Sequence, residues 1–365
     1  HPTRVLLHDA IDHSNIAAVG DHIAPVLDKR LLHLGVGDVT RPLAPAVIEA
    51  MQRAVSEQGQ AASFHGYLPE TGTDFLKEAV VSYYARRNVT VASEEVFISS
   101  GAADDLGAVL HLFSQENRVL LIEPAYPAYA DANRMDGRTV LRLPGTPENG
   151  FLPLPTAELD VEIVYLCSPN NPTGAAHTYA QLARWVDWAN ERQAVILFDA
   201  AYEAFVTDAD VPGSIFELPG ADTCAIEISS LSKTAGFTGT RLGYTVVPNR
   251  LRPNGIPLND LWRRDRCTRT NGVSYILQRG GEAALSEEGL SENRKNIAFY
   301  RENGRILSEA LRDAGLWFTG GTNAPYLWLR CPDGLSGWAF FSRLLEQCLP
   351  GRVAKGWRPL CHRLS

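Results

Sequence analysis

The chain has 365 residues, of which 45% are apolar and 21% charged, so a disordered or collagen-like chain is excluded. Its net charge of −8 offers no basic surface for nucleic acid, and no uncharged apolar run is long enough to cross a membrane. The six cysteines show no metal-ligand spacing, and reduced thiols favour a cytoplasmic location. These features predict a soluble enzyme with one large domain or two ordinary ones.

Short apolar runs alternate with amphipathic stretches between about residues 46 and 250. Helices are predicted at 42–57, 73–87, 103–113 and 179–192, and strands at 96–99, 119–122, 163–167, 195–199, 225–229 and 242–247. The strand segments are rich in Val, Ile and Leu without alternation, as expected when both faces of a strand are buried. The pattern predicts a mostly parallel sheet with helices on both faces, and ligands of such sheets bind at the carboxyl ends of the strands.

The remaining part of the chain has a different pattern. A long helical pattern covers 270–315, two strands at 317–319 and 326–329 flank a Gly-Gly turn, and a further helix is predicted at 335–347. We therefore predict a large domain at 46–265 and a smaller α+β domain built from residues 1–45 and 266–365.

The segment SLSK at 230–233 directly follows a predicted strand. A lysine at this position can form a Schiff base with an aldehyde cofactor. The hydroxyl groups of Ser230 and Ser232, together with Arg241, have the chemistry to hold a phosphate. The alternative is that Lys233 is an ordinary surface lysine.

Asp199 closes the apolar run VILFD, where a carboxylate is costly unless it is paired with a cation. A protonated pyridine nitrogen is such a cation, and Tyr202 would lie over the same pocket. The alternative is that Asp199 caps the amino terminus of a helix.

Three further segments carry polar or aromatic groups at predicted strand ends. In CSPNNPTG at 167–174, a rigid Asn could donate to a phenolate oxygen, although these residues also form ordinary turns. Backbone N–H groups in SSGAAD at 99–104 could cradle a phosphate, and EPAYPAY at 123–129 offers an aromatic ring. Each segment has a plain structural explanation, but all five occur in order at strand ends.

Together these segments resemble the fold-type I aminotransferases that use pyridoxal 5′-phosphate (PLP), and within them the LL-diaminopimelate aminotransferases. The resemblance extends from about Leu34 to Leu345, and its most specific motifs are FDAAY at 198–202 and SKTAGFTG at 232–239. It also includes LGVGD at 34–38, GY at 66–67, PE at 69–70, NGVS at 271–274 and GGTNAPY at 320–326. It implies fold type I, amino-acid and 2-oxo-acid substrates, and a homodimer with shared active sites.

The resemblance also implies a role for each matching residue. Lys233 would bind PLP and move the substrate proton, Asp199 would pair with the pyridine nitrogen, and Tyr126 would stack on the ring. Asn171 and Tyr202 would bond the phenolate oxygen. The implied phosphate-binding groups are Ser230, Ser232, Arg241, the backbone N–H groups of Ala102 and Ala103, and Tyr67 from the neighbouring subunit. The implied substrate-binding residues are Gly37, Tyr67, Glu70, Asn171, Asn271 and Arg363. Glu70 and Asn271 would come from the neighbouring subunit. Arg363 would bind the α-carboxylate, and Arg358 is the alternative for that role.

Three positions differ from the LL-diaminopimelate aminotransferases on the substrate side. Ala103 stands where that family has a lysine, Leu68 interrupts its Gly-Tyr-Gly-Pro-Glu motif, and the region near Ser14 lacks its aromatic motif. Four hypotheses therefore remain: an LL-diaminopimelate:2-oxoglutarate aminotransferase of lysine biosynthesis, an aminotransferase for lysine or another basic amino acid, a same-fold PLP enzyme of elimination or cyclisation, and an inactive PLP-fold binding protein.

Overall fold

The computed structural model describes residues 37–347 of the chain. The predicted carboxylate-binding residues Arg363 and Arg358, and the segment near Ser14, lie outside the described residues. The division into two domains at residues 45 and 265 therefore stays a prediction.

A seven-stranded sheet forms the centre of the molecule. Its strands, in chain order, are β1 (Val96–Ser99), β2 (Val119–Glu123), β3 (Val140–Pro144), β4 (Ile163–Cys167), β5 (Val195–Asp199), β6 (Ala225–Ser230) and β7 (Gly243–Val246). They are arranged in the order β1-β7-β6-β5-β4-β2-β3. Only β7 runs antiparallel to its neighbours, so the carboxyl ends of β1, β2, β4, β5 and β6 meet at one edge.

The mostly parallel sheet confirms the fold prediction, and all six predicted strands are present. The prediction missed β3, the strand at one edge of the sheet. The side chains of β3 are half-buried or exposed and include Arg142, so this segment lacks the buried apolar run that marked the other strands.

Helices cover the sheet and extend into the C-terminal part. Their bounds are α1 (Pro45–Gln58), α2 (Asp74–Ala85), α3 (Ala102–Ala108), α4 (Pro127–Met135), α5 (Tyr179–Arg192), α6 (Leu231–Thr234), α7 (Leu258–Arg269), α8 (Tyr275–Leu285), α9 (Glu287–Asp313) and α10 (Gly337–Gln347). The predicted long helical segment divides at Ser286, whose Oγ accepts a hydrogen bond from the N–H of Gly289 at 3.1 Å and so caps α9. A two-stranded antiparallel sheet of β8 (Phe318–Gly320) and β9 (Leu327–Leu329) follows α9.

Burial on both faces explains why the central strands are largely apolar. In β5, Ile196 and Phe198 pack with Trp185 of α5 on one face, while Leu197 packs with Trp262 of α7 on the other. These side chains are fully buried, and the burial of each contributes about 1.5–3 kcal/mol to folding. The sheet is thereby a rigid platform for the loops at its carboxyl edge. Over the described part of the chain, no helix is both long and apolar enough to span a membrane.

Candidate active site

The polar residues predicted for the cofactor follow the strands that end at the carboxyl edge of the sheet. Asp199 is the last residue of β5 and pairs in register with Cys167 at the end of β4. Lys233 lies on α6, which begins directly after β6. The loop after β4 brings Asn171 to Tyr202, which follows β5. The sheet therefore places these residues, distant in sequence, at one site.

Asp199 is a buried carboxylate, with only 5% of its surface exposed. Its Oδ2 accepts a hydrogen bond from the hydroxyl of Tyr129 at 2.5 Å, and its Oδ1 accepts one from the N–H of Ala201 at 3.0 Å. Burial raises the pKa of Asp199, while these two donors oppose that rise. No basic side chain among residues 37–347 forms an ion pair with it, so the carboxylate is suited to a cation such as a protonated pyridine nitrogen.

The helix-cap interpretation of Asp199 accounts for only one of its two oxygens. The bond from Ala201 is the local turn contact that such a cap would make, but the bond from Tyr129 comes from α4. Sequence reasoning missed Tyr129, which comes three residues after Tyr126 in the strand-end segment that it had selected. The rings of Tyr126 and Tyr129 meet edge to face at 5.5 Å, so half-buried Tyr126 contacts the tyrosine that donates to Asp199.

A cradle of small residues and hydroxyls lies around Arg241. The Oγ of Ser230 accepts a hydrogen bond from the N–H of Ser232 at 3.1 Å, and Arg241 Nη1 donates to Ser232 Oγ at 3.1 Å. Gly101 has a φ of +126°, and a Cβ added there would lie 2.6 Å from Arg241 Nη2. The guanidinium group therefore lies directly against the start of α3.

The first backbone N–H groups of α3 lie in the same cradle. Ala102 and Ala103 occupy the first turn, where N–H groups have no partner within the helix. A Cβ at Gly243 would lie 2.8 Å from the Cα of Gly101 and 3.1 Å from the nitrogen of Ala102, so this close approach requires glycine. Two serines, an arginine and free N–H groups form a donor set that fits a phosphate.

Lys233 is half-buried, and its Nζ donates a hydrogen bond to the backbone carbonyl of Gly37. Burial lowers the pKa of Lys233; Arg241 lowers it further, whereas Asp38 opposes the change. A lysine whose amine is less firmly protonated is a better nucleophile toward an aldehyde. Lys233 is thus suited to form a Schiff base, and it is not an ordinary surface lysine.

Three side chains form a hydrogen-bonded row across the site. Asn171 Nδ2 donates to the Tyr202 hydroxyl at 3.5 Å, and that hydroxyl lies 2.5 Å from the hydroxyl of Tyr326. Burial raises the pKa of Tyr202, so its hydroxyl stays protonated at neutral pH. Tyr326 was given no role from the sequence, although it lies within the GGTNAPY segment that carried part of the resemblance.

The residues predicted for the far end of the substrate lie on loops. Tyr67 is 91% exposed, Asn271 is exposed, and Glu70 is half-buried. The turn that contains Asn271 packs on the loop of Glu70, because a Cβ at Gly272 would lie 3.0 Å from the carbonyl oxygen of Pro69. The structure therefore brings Glu70 and Asn271 into one region, while their roles and that of Tyr67 stay predictions.

These geometries fit a PLP enzyme of the aminotransferase type: a half-buried lysine, a buried carboxylate and an anion cradle lie at one edge of a mostly parallel sheet. A family model described as aminotransferase class I and II matches residues 29–355. The chain belongs to this family, and PLP is its cofactor, as the sequence predicted.

Individual relatives agree with this assignment. A protein of Lachnospira eligens named LL-diaminopimelate aminotransferase is 45% identical over 347 residues, which cover 91% of this chain and 85% of the relative. The solved structure of L,L-diaminopimelate aminotransferase from Chlamydomonas reinhardtii has a TM-score of 0.87 and 37% identity, covering 94% of this chain and 87% of that one. Aspartate aminotransferase of Thermus thermophilus has a TM-score of 0.83 at 21% identity, covering 95% of this chain and 90% of that one, and shows the shared fold alone. The prediction of fold type I is confirmed.

Proposed function

We propose that this chain is an LL-diaminopimelate:2-oxoglutarate aminotransferase of lysine biosynthesis. The observation that carries its aminotransferase chemistry is the buried carboxylate of Asp199, which has no ion-pair partner among residues 37–347, at the site that also holds Lys233 and Arg241. The choice of LL-diaminopimelate rests on the relatives that bear this name at 45% identity and on the presence of Glu70 and Asn271.

The chain's own residues would hold the reacting groups in place. Bound PLP supplies an electron sink for the carbon that loses a proton. Asp199 would hold a proton at the pyridine nitrogen, since a buried carboxylate favours the charged ring. The amine of Lys233 would bind the cofactor and then carry the proton that leaves the substrate Cα.

Phosphate and phenolate contacts would fix the cofactor's position. Arg241, Ser230, Ser232 and the first N–H groups of α3 would bind the phosphate, and Tyr126 would lie over the ring. Asn171 and Tyr202 would donate to the phenolate oxygen. Such positioning can supply several kcal/mol of the acceleration, because the reacting atoms are held in the geometry that the reaction requires.

Substrate recognition would divide between the two ends of the amino acid. Arg363 would bind the α-carboxylate through two parallel hydrogen bonds. Glu70 would pair with the distal ammonium group, and Asn271 would bond to the same end of the substrate. These two residues and Tyr67 would come from the second subunit of a homodimer, and the enzyme would act in the cytoplasm.

The proposal is tested by assaying amino transfer to 2-oxoglutarate from LL-diaminopimelate, lysine and arginine at equal concentration. Preference for LL-diaminopimelate supports it, whereas preference for lysine favours an aminotransferase for basic amino acids, in keeping with the missing lysine at Ala103. Product release without any 2-oxo acid would identify elimination or cyclisation. A PLP-loaded protein that turns over none of these amino acids would be a binding protein.

A further inference from the structure

We propose that Tyr326 is a positioning residue of the active site that acts through the hydroxyl of Tyr202. The two hydroxyl oxygens lie 2.5 Å apart, and the rings meet edge to face with 5.1 Å between their centroids. Neither the family's motif residues nor the strand-end pattern assigns a role to Tyr326. The inference depends on PLP binding and not on which amino acid is the substrate.

The loop that carries Tyr326 is attached to the loop of Tyr202. Asn323 Oδ1 accepts hydrogen bonds from the N–H of Thr207 at 2.9 Å and of Asp208 at 3.1 Å. Its Nδ2 donates to Asp208 Oδ2 at 2.8 Å. Asn323 is itself buried, so the position of Tyr326 is determined relative to the segment that follows Tyr202.

The same loop also packs on the loop of Asn171. Gly174, with φ of +69°, leaves no space for a side chain, because a Cβ there would lie 2.7 Å from the carbonyl oxygen of Tyr326 and 2.8 Å from the Cα of Gly320. The backbone of the loop after β4 therefore contacts the backbone of the segment before β9. Tyr326 is held from both sides, which is what a residue that orients another side chain requires.

Hydrogen-bond stoichiometry determines which hydroxyl donates. A phenol has one proton and accepts up to two hydrogen bonds. The amide nitrogen of Asn171 can only donate to Tyr202, and the proton of Tyr202 is needed for the phenolate oxygen of PLP. Tyr326 must then donate to Tyr202. Two incoming donors orient the Tyr202 proton toward the cofactor and strengthen its bond, by roughly 10–30% for linked hydrogen bonds.

Tyr326 also faces the backbone that contacts Lys233. A Cβ added to Gly37 would collide with the Tyr326 hydroxyl, and the Gly37 carbonyl accepts a hydrogen bond from Lys233. The Tyr326 hydroxyl thus lies between Tyr202, which would bond the phenolate oxygen, and Gly37, whose carbonyl accepts a hydrogen bond from Lys233.

The test uses Tyr326→Phe, which removes the hydroxyl and keeps the ring contact. With PLP bound and no substrate present, the pH midpoint of the visible absorption reports the proton shared between the phenolate oxygen and the nitrogen of Lys233. A weaker donation from Tyr202 leaves more negative charge on that oxygen, so the proton is held more tightly. We expect the midpoint to rise by about half a pH unit, and kcat to fall roughly tenfold with KM little changed.

Two comparisons separate positioning from a merely structural role. Tyr179→Phe removes a tyrosine hydroxyl that bonds Glu217 outside the site, and it should leave the midpoint unchanged. Tyr202→Phe should raise the midpoint further than Tyr326→Phe, and the double variant should match Tyr202→Phe alone, because the effect of Tyr326 passes through Tyr202.

The proposal is overturned if the midpoint of Tyr326→Phe equals that of the wild type, or if the two effects add in the double variant. Failure of Tyr326→Phe to bind PLP while Tyr179→Phe binds it would also contradict the proposal, since Asp199 and Arg241 retain their contacts. Because no amino acid is present, a wrong assignment of the substrate leaves this experiment unaffected.

Discussion

The cofactor region and the distal substrate region are built in different ways. The cofactor side chains project from strand ends and short loops, are buried or half-buried, and are joined by hydrogen bonds such as Tyr129 to Asp199 and Arg241 to Ser232. Tyr67 and Asn271 lie on exposed loops, and the carboxylate of Glu70 accepts a long contact of 3.9 Å from the thiol of Cys267.

This difference indicates which part of the function each region determines. A preorganised site sets the chemistry, because its donors and charges are in place before the substrate arrives. A loop region that awaits partners sets the choice of substrate, and here the proposed partner is a second copy of the chain. Leu68 falls on this side, whereas Ala103 lies in the first turn of α3 at the phosphate cradle, so specificity can change while the chemistry stays the same.

The largest effect is expected for Lys233→Ala. Turnover should fall by at least about 10⁴-fold, since the variant loses both the Schiff base and the amine that moves the proton. Some PLP should remain bound through the contacts of the phosphate cradle. Steady-state amino transfer and the visible absorption of the purified protein measure both outcomes.

Lys295→Ala is the matched control, because Lys295 is an exposed lysine on α9. It should behave as the wild type. Turnover of Lys233→Ala within tenfold of this control would show that the cofactor region is not the centre of the chemistry.

The next largest effect is expected for Asp199→Ala. Loss of one partner of a buried charge pair typically costs about 3–5 kcal/mol, so kcat should fall by roughly 10³-fold and PLP should bind more weakly. Asp187→Ala, at an exposed position of α5, controls for the loss of an aspartate. An unchanged kcat and PLP affinity for Asp199→Ala would show that another group pairs with the charged pyridine nitrogen.

A smaller and selective effect is expected for Glu70→Ala. The kcat/KM for LL-diaminopimelate should fall about 10- to 100-fold, because its distal ammonium group loses a charged partner. The half-reaction with glutamate, which has no distal amine, should stay the same. Glu288→Ala, at an exposed position of α9, is the control. If Glu70→Ala lowered kcat/KM equally for LL-diaminopimelate and for glutamate, Glu70 would not act selectively on the distal end of the substrate, and the two regions would not have separate functions.

The smallest effect is expected for Glu227→Gln, and it concerns how the free energy of unfolding depends on pH. Glu227, on β6, is buried and accepts hydrogen bonds from the hydroxyls of Tyr84 at 2.5 Å and Ser214 at 2.7 Å. Burial raises the pKa of Glu227 from 4.5 to about 7, against the opposing effect of its donors and of Arg87. The folded protein therefore holds this proton at pH values where the unfolded chain has lost it.

Stability from this group is fully present below about pH 4.5 and is lost as the pH rises to about 7. Glu227→Gln cannot titrate, so its free energy of unfolding should improve relative to that of the wild type between about pH 5 and pH 7, by at most about 1.4 kcal/mol per pH unit. A constant difference between the two proteins at all pH values would show that Glu227 does not titrate in this range.

The sequence was sufficient to predict six of the seven strands of the central sheet, and it missed β3, whose side chains are half-buried or exposed. The six could be predicted because most of them are short apolar runs that end at a polar segment. Asp199 and Lys233 could be selected for the same reason. Tyr129 and Tyr326 could not, since their partners Asp199 and Tyr202 lie 70 and 124 residues away in the chain. Such contacts depend on which strands become neighbours, and local patterns do not specify this.

The visible absorption spectrum of the PLP-loaded protein shows directly whether LL-diaminopimelate is the amino donor. It should be recorded before and after a single addition of LL-diaminopimelate, and again after addition of 2-oxoglutarate. We expect LL-diaminopimelate to bleach the band, 2-oxoglutarate to restore it, and Lys233→Ala to show neither change. A band that LL-diaminopimelate leaves unchanged while lysine bleaches it would contradict the proposed substrate, and a band unchanged by any amino acid would contradict an aminotransferase.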